Sequence, residues 1–67
     1  MNNTEHAYHE AGYKAGRAMR QGDAALYRFQ KDWFTRALSL ETDHDKAEAR
    51  RLWAAGYAEA QPAHTKG

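Results

Sequence analysis

The chain contains no valine and no isoleucine, the two residues most typical of buried β-strands. Alanine, the best helix former, supplies 14 of its 28 apolar residues, and Leu, Met and aromatic side chains supply the others. A sheet would have almost no branched side chains to bury. The composition therefore predicts an all-α protein.

The same composition limits the hydrophobic core. A chain of 67 residues is a single domain, and a domain this small buries only about 60% of its unfolded surface. Half of the apolar side chains are alanines that end at one methyl group, so a monomeric core would be thin. We expect two to three short amphipathic helices, arranged as a helical hairpin or three-helix bundle, and a homodimer that buries further surface.

Capping residues predict the ends of the first two helices. Thr4 is a candidate N-cap for a helix over about 4–21, and Gly22 ends that helix. Asp23 follows at once and can cap a second helix over 23–40. With almost no linker between them, the two helices should fold back on each other as a hairpin.

A third helix is predicted over about 43–61. Thr42 and Asp45 stand three residues apart, which matches the capping-box pattern. Pro62 ends this helix, and residues 62–67 are expected to be a loose tail. No low-complexity linker divides the chain, so the three helices form a single helical domain.

The helical period places small residues on the inner sides of the first and third helices. Gly12 and Gly16, four residues apart, predict a close helix contact, and Gly56 is a close-approach point in the third helix. The larger apolar residues on the inner faces form the predicted core. They are Tyr8, Met19, Leu26, Phe29, Trp33, Leu40, Leu52, Trp53 and Tyr57.

The second helix carries two apolar stripes, separated only by Gln30. The first stripe contains Leu26, Phe29, Trp33, Ala37 and Leu40, and the second contains Tyr27, Phe34 and Leu38. One neighbour cannot cover both stripes, so we expect the second helix to be the central element. Its first stripe would face the other helices and its second would form the dimer interface. The alternative is a monomeric three-helix bundle that buries both stripes.

Residues suited to catalysis are sparse. Cysteine is absent, which removes disulfides, Cys-ligated zinc and thiol catalysis. His6, His9 and Glu10 lie within about one helical turn, but three ligands from one helix rarely close a metal site, so solvated histidines are the preferred interpretation. We predict a protein that is not an enzyme, with no metal and no cofactor.

The beginning of the chain, Met-Asn-Asn-Thr-Glu-His, has neither a charged leader nor an apolar run. We therefore expect no signal peptide and no membrane span, and we predict a cytoplasmic location.

A polar face with one aromatic residue lies opposite the inner side of the first helix. Tyr13 stands in its middle among cationic side chains, and tyrosine with arginine is the composition enriched in protein–protein hot spots. Cations of the second helix could extend this face. The predicted partner-binding residues are His9, Tyr13, Arg17, Arg20, Arg28 and Lys31. The alternative is a solvated polar face with a single tyrosine.

Two segments resemble a known family. Gly12-Tyr13-Lys14-Ala15-Gly16 and, near the end, Trp53-Ala54-Ala55-Gly56-Tyr57-Ala58-Glu59-Ala60 together resemble the pattern of ribosome modulation factor. The resemblance covers about a fifth of the chain, and it implies a shared helix-pair scaffold.

The short helical chain and its display of Tyr, Trp and Arg also resemble small host-takeover proteins of temperate phages, such as quorum-sensing anti-activators and anti-CRISPR inhibitors. That resemblance implies a non-catalytic helical dimer that binds a host protein, often a transcription regulator, and inhibits or modulates it. We therefore expect a protein-binding inhibitor whose partner is a host protein.

The alternative function is binding to nucleic acid or to the ribosome. A third helix with Arg50 and Arg51 could act as a recognition helix, but Asp43, Asp45 and Glu48 occupy its first turns, where phosphates would be repelled. Nucleic acid is therefore the less favoured partner.

Overall fold

The computed structural model describes residues 3–61 of the chain, with side chains for residues 6–61. It consists of three helices: α1 (Asn3–Gln21), α2 (Ala24–Leu38) and α3 (Asp43–Ala60). The described residues contain no strand, and the predicted all-α fold is confirmed. The tail predicted over 62–67 lies outside the described residues.

Local side chains cap the helices at both turns. Gly22 has a φ of 74°, a left-handed conformation that glycine adopts at low cost. The Asp23 carboxylate then accepts a hydrogen bond from the amide of Leu26 (3.0 Å). At the second turn, the Thr42 hydroxyl accepts one from the amide of Asp45 (3.2 Å). Each cap satisfies an amide that the first turn of a helix leaves free.

Four helix ends differ from the prediction, and two of these, the start of α2 at Ala24 and the end of α3 at Ala60, lie one residue inside the predicted bounds. α1 begins at Asn3, so Thr4 lies within the helix and is not its N-cap. α2 ends at Leu38, two residues before its predicted end. The amide of Leu40 donates to the carbonyl of Ala37 (3.1 Å), and this three-residue spacing departs from the α-helical pattern. Leu40 therefore belongs to the turn.

The central helix is α1. α2 folds back antiparallel along it, and α3 runs parallel to it on a different side. The prediction that the second helix is central is therefore wrong. α1 carries small residues on two arcs, with Ala7 and Ala11 toward α2 and Gly12 and Gly16 toward α3. Small residues let both neighbours approach the same backbone.

Glycines of both helices allow the close contact between α1 and α3. A Cβ atom added at Gly12 would lie 2.9 Å from the carbonyl carbon of Trp53, and one added at Gly56 would lie 2.9 Å from the backbone nitrogen of Tyr13. Gly16 lies equally close to α3 one turn further along. These separations are shorter than van der Waals contact, so the predicted close-approach role of the three glycines is confirmed.

Aromatic side chains of all three helices meet in the core. Phe34 of α2 is 6% exposed, stacks on Trp53 of α3 with 4.4 Å between ring centroids, and meets Tyr8 of α1 edge-on at 5.9 Å. Trp33 approaches the same tyrosine ring at 5.7 Å. The residues packed around this centre include Ala37, Leu38, Ala49 and Leu52. Of the predicted core residues, Tyr8 is buried, and those partly buried are Trp33, Leu52, Trp53 and Tyr57.

Each of the two stripes of α2 contributes side chains to the core, which differs from the prediction. Phe34, assigned to the dimer interface, is buried within a single chain. Leu26 and Phe29, assigned to the core, are 37% and 61% exposed. The physical reason is the rotation of α2, which turns the line between the stripes, marked by Gln30, toward α1. The side chains of both stripes nearest this line then face the interior, whereas Leu26 and Phe29 of the first stripe face outward.

Two further residues predicted for the core lie on the surface. Met19, near the C-terminal end of α1, is 50% exposed, and Leu40, in the turn after α2, is 87% exposed. Tyr27 and Leu38, assigned to the dimer interface together with Phe34, are half-buried. The core is therefore smaller than predicted and is centred on one end of the bundle.

A buried hydroxyl group connects α1 to the turn after α2. The Tyr8 hydroxyl donates a hydrogen bond to the Glu41 carboxylate (2.7 Å). Burial of the phenol, followed by this bond and the negative charge of Glu41, raises the pKa of Tyr8 from 10.0 to about 12. The neutral phenol is therefore the form that the folded chain stabilises.

Raising the pH from 10 to about 12 is expected to lower the free energy of unfolding. Because the folded-state pKa of Tyr8 lies above its unfolded value, this contribution is complete below pH 10 and is lost as the pH rises through 12. Urea denaturation at a series of pH values measures the effect. A Tyr8→Phe variant should show a flatter pH dependence, and equal slopes for the two proteins would contradict the assignment.

Candidate functional site

The predicted partner-binding face of α1 lies along its contact with α3. His9 Nε2 lies 3.2 Å from a carboxylate oxygen of Glu59. The Arg20 guanidinium donates a hydrogen bond to the carbonyl of Ala60 (3.0 Å), at the C-terminal end of α3. Tyr13 is half-buried at the same contact. The face is therefore one edge of the α1–α3 interface, and Arg20 serves that interface as a helix-terminal contact.

One part of this face remains open to solvent. The Arg17 guanidinium lies over the Tyr13 ring, 5.9 Å from its centroid, and Arg17 is exposed. This distance lies within the range of a cation–π interaction. The contact between His9 and Glu59 lies beside this pair and adds one group from each helix. We call these four residues, His9, Tyr13, Arg17 and Glu59, the Tyr13 edge.

The cations of α2 do not extend the Tyr13 edge. Lys31 lies over the ring of Tyr27, 5.9 Å from its centroid, in a separate pair within α2. Arg28 is two residues from Gln30, which lines the contact with α1, and residues two apart point to nearly opposite sides of a helix. The prediction that Arg28 and Lys31 join the α1 face is therefore wrong.

A second surface feature lies between α1 and α2. It is an open groove of about 240 Å³, below the usual size of small-molecule pockets. α1 contributes small and charged side chains and α2 contributes aromatic ones. The lining residues are Ala7, Glu10, Ala11, Lys14, Phe29, Gln30 and Trp33. We call this feature the hairpin groove.

Apolar and charged groups are separated within the hairpin groove. Phe29 is 61% exposed beside the half-buried Trp33, so one wall is aromatic. On α1, Glu10 and Lys14 lie one turn apart and pair with each other at 3.6 Å. Large exposed apolar side chains next to ordered charges are typical of protein-binding surfaces.

Sequence reasoning assigned Phe29 and Trp33 to the core and therefore missed this groove. A signal was present, because the second helix carries more apolar side chains than one neighbouring helix can cover. That signal predicts that part of the second helix is exposed, but it does not show which of the two apolar stripes this part belongs to.

Among the side chains described, those of residues 6–61, no three from His, Asp or Glu converge where they could hold a metal ion. His6 pairs with Glu10 (3.7 Å), whereas His9 pairs with Glu59 (3.2 Å), so the two histidines face different carboxylates. Of the described helices, none has the length and apolar character needed to cross a bilayer. The Tyr13 edge and the hairpin groove are the two candidate functional surfaces.

In comparisons with known proteins, the chain matches no family model, no curated protein and no solved structure. The resemblances to ribosome modulation factor and to phage takeover proteins remain predictions.

Proposed function

We propose that the chain is a non-catalytic protein that binds and modulates a partner protein through the Tyr13 edge. The observation that carries this proposal is the exposed guanidinium of Arg17 over the ring of Tyr13, at 5.9 Å from its centroid. Tyrosine supplies rigid apolar area, and arginine supplies directed, charge-assisted hydrogen bonds to carboxylates. The pair is thus composed like a protein–protein hot spot.

The position of the edge between two helices supports the same function. The His9–Glu59 pair joins α1 to α3 on the exposed side of their contact. Close packing at the glycines holds the two helices at a short distance, so the edge is rigid before a partner binds. A rigid surface loses little conformational entropy on binding. The resemblance to phage takeover proteins adds the class of partner, a host regulatory protein.

We expect the Arg17→Ala variant to keep its stability and to bind its partner more weakly. Arg17 is exposed, so its removal should change the free energy of unfolding by less than about 0.5 kcal/mol. Loss of a hot-spot arginine should weaken binding by about 2 kcal/mol. Arg17 is a better probe than Tyr13, whose half-buried ring also contributes to stability. Nuclease-treated capture from host lysate identifies the partner, and calorimetry with the purified partner measures the affinity.

Arg50→Ala is the matched control, because Arg50 is an exposed arginine on α3, outside the edge. This variant should bind like the original chain. Equal losses for Arg17→Ala and Arg50→Ala would indicate general electrostatic attraction and contradict the proposal. Capture that nuclease abolishes, with an affinity that falls steeply with salt, would favour the nucleic-acid function instead.

A further inference from the structure

We propose that the hairpin groove is the interface of a symmetric homodimer and that its occupant is a second copy of this chain. This inference goes beyond the proposed function, since it concerns a different surface of α1. It rests on three observations: the exposed apolar side chains of α2, the order of charges on α1, and the small core of the single chain.

The apolar part of the groove lies along α2 and includes its exposed aromatic side chain. Phe29 and Trp33 stand one turn apart on α2, and Ala7 and Ala11 stand one turn apart on α1. Ala11 is buried within the single chain, so the surface left for a second copy is formed by Ala7 and the two aromatic side chains. Leu26, 37% exposed, lies on the same flank of α2. A helix laid in the groove would cover these side chains.

The charged residues of the groove can pair with the same residues of a second copy of the chain. Glu10 precedes Lys14 by one helical turn on the groove side of α1. If a second α1 lies antiparallel across a two-fold axis, the Glu10 carboxylate of each copy faces the Lys14 ammonium of the other. A parallel arrangement would place like charges together. The charge order therefore selects an antiparallel, isologous dimer, the commonest symmetry of soluble oligomers.

The single chain also has few large side chains inside. Its buried apolar residues among the described ones are Tyr8, Phe34 and five alanines, at positions 11, 15, 18, 49 and 60. A domain of this size gains stability when association adds buried apolar surface. In the proposed dimer the two α1–α2 hairpins pack into a four-helix core. Each α3 stays outside, and Tyr13 and the His9–Glu59 contact, on the α3 side of α1, remain accessible. Arg17 is seven residues from Glu10, so it lies on nearly the same side of α1 and at the rim of the proposed interface.

Sedimentation equilibrium over a range of micromolar concentrations tests the proposal. The chain should sediment as a species of twice its 7.6 kDa mass. Phe29→Glu should raise the dimer dissociation constant by about tenfold or more, because it buries a charge at the centre of the interface. Leu40→Glu is the matched control, since Leu40 is an exposed leucine outside the groove. It should remain dimeric, and circular dichroism should show that both variants keep their helices.

Charge exchange tests the antiparallel arrangement. Glu10→Lys alone places lysines against lysines and should weaken the dimer, as Lys14→Glu should by placing carboxylates together. The double variant Glu10→Lys with Lys14→Glu restores opposite charges and should recover most of the affinity. Failure of the double variant to recover would overturn the proposed symmetry.

A monomer at every concentration, or a species larger than a dimer, would overturn the proposal. So would a dimer that Phe29→Glu leaves intact or that Leu40→Glu dissociates equally. The partner experiment is independent: Phe29→Glu should still capture the partner at the Tyr13 edge, and Arg17→Ala should still dimerise. Each proposal can therefore fail without the other.

Discussion

The Phe34→Ala variant is expected to lose about 4 kcal/mol of unfolding free energy, the range for deleting a buried phenylalanine. Phe34 is 6% exposed and contacts aromatic rings of both other helices, at 4.4 Å from Trp53 and 5.9 Å from Tyr8. Its removal leaves a cavity where the three helices meet. Because small domains are stable by only about 5 kcal/mol or slightly more, much of the population should unfold on mild heating. Thermal and urea denaturation measure the loss.

The control for this variant is Leu40→Ala, because the leucine side chain is 87% exposed. Its removal should change stability by less than about 0.5 kcal/mol. If Phe34→Ala were as stable as Leu40→Ala, Phe34 would not be in the core, and its packing between Tyr8 and Trp53 would be contradicted.

The Gly56→Ala variant is expected to lose about 3 kcal/mol of unfolding free energy, at the upper end of the cost of overpacking. In an open helix the same change would stabilise by up to about 1 kcal/mol, because alanine is the better helix former. Here the added Cβ meets the backbone of α1 at the His9 carbonyl oxygen and, at 2.9 Å, the Tyr13 nitrogen. Backbone atoms cannot rotate away, so α1 and α3 must separate.

Ala55→Val is the matched control, since it adds carbon atoms on the exposed side of the same turn. Its expected cost is the lower helix propensity of valine, below about 0.7 kcal/mol. Urea denaturation of both variants compares the two costs directly. A Gly56→Ala protein more stable than the original chain would show that α3 does not pack closely on α1.

The sequence predicted most accurately those features that depend on residues close together along the chain. The cap at Asp23 and the turn at Gly22 involve residues within three or four positions, and both form as predicted. The close approach at Gly12 and Gly56 also followed from local composition, because a glycine in a helix favours contact with another backbone. The side of α1 against which α3 packs could not be predicted from the sequence.

The candidate surfaces were harder to predict than the helices. Tyr13 and Arg17 were identified from their spacing and composition, and the structure places them together. Arg20 was grouped with them by the same spacing, yet it bonds to the end of α3. A helical wheel shows which side chains share a face and leaves open which face a neighbouring helix covers. Tyr13, Arg17 and Arg20 were predicted to share one face, but the environment of Arg20 differs from that of the other two.

Local sequence features were sufficient to predict the all-α fold and the approximate positions of the helices, although the ends of α1 and α2 differ from the prediction. The absence of Val and Ile, the abundance of alanine and the capping residues act within a few positions along the chain. The tertiary structure decided which helix is central and which side chains of the two stripes of α2 are buried. Both stripes are apolar enough to fill a core, so the sequence does not show which of their side chains become buried. Packing against the small residues of α1 turns Gln30 toward that helix, buries Phe34 and leaves Phe29 exposed.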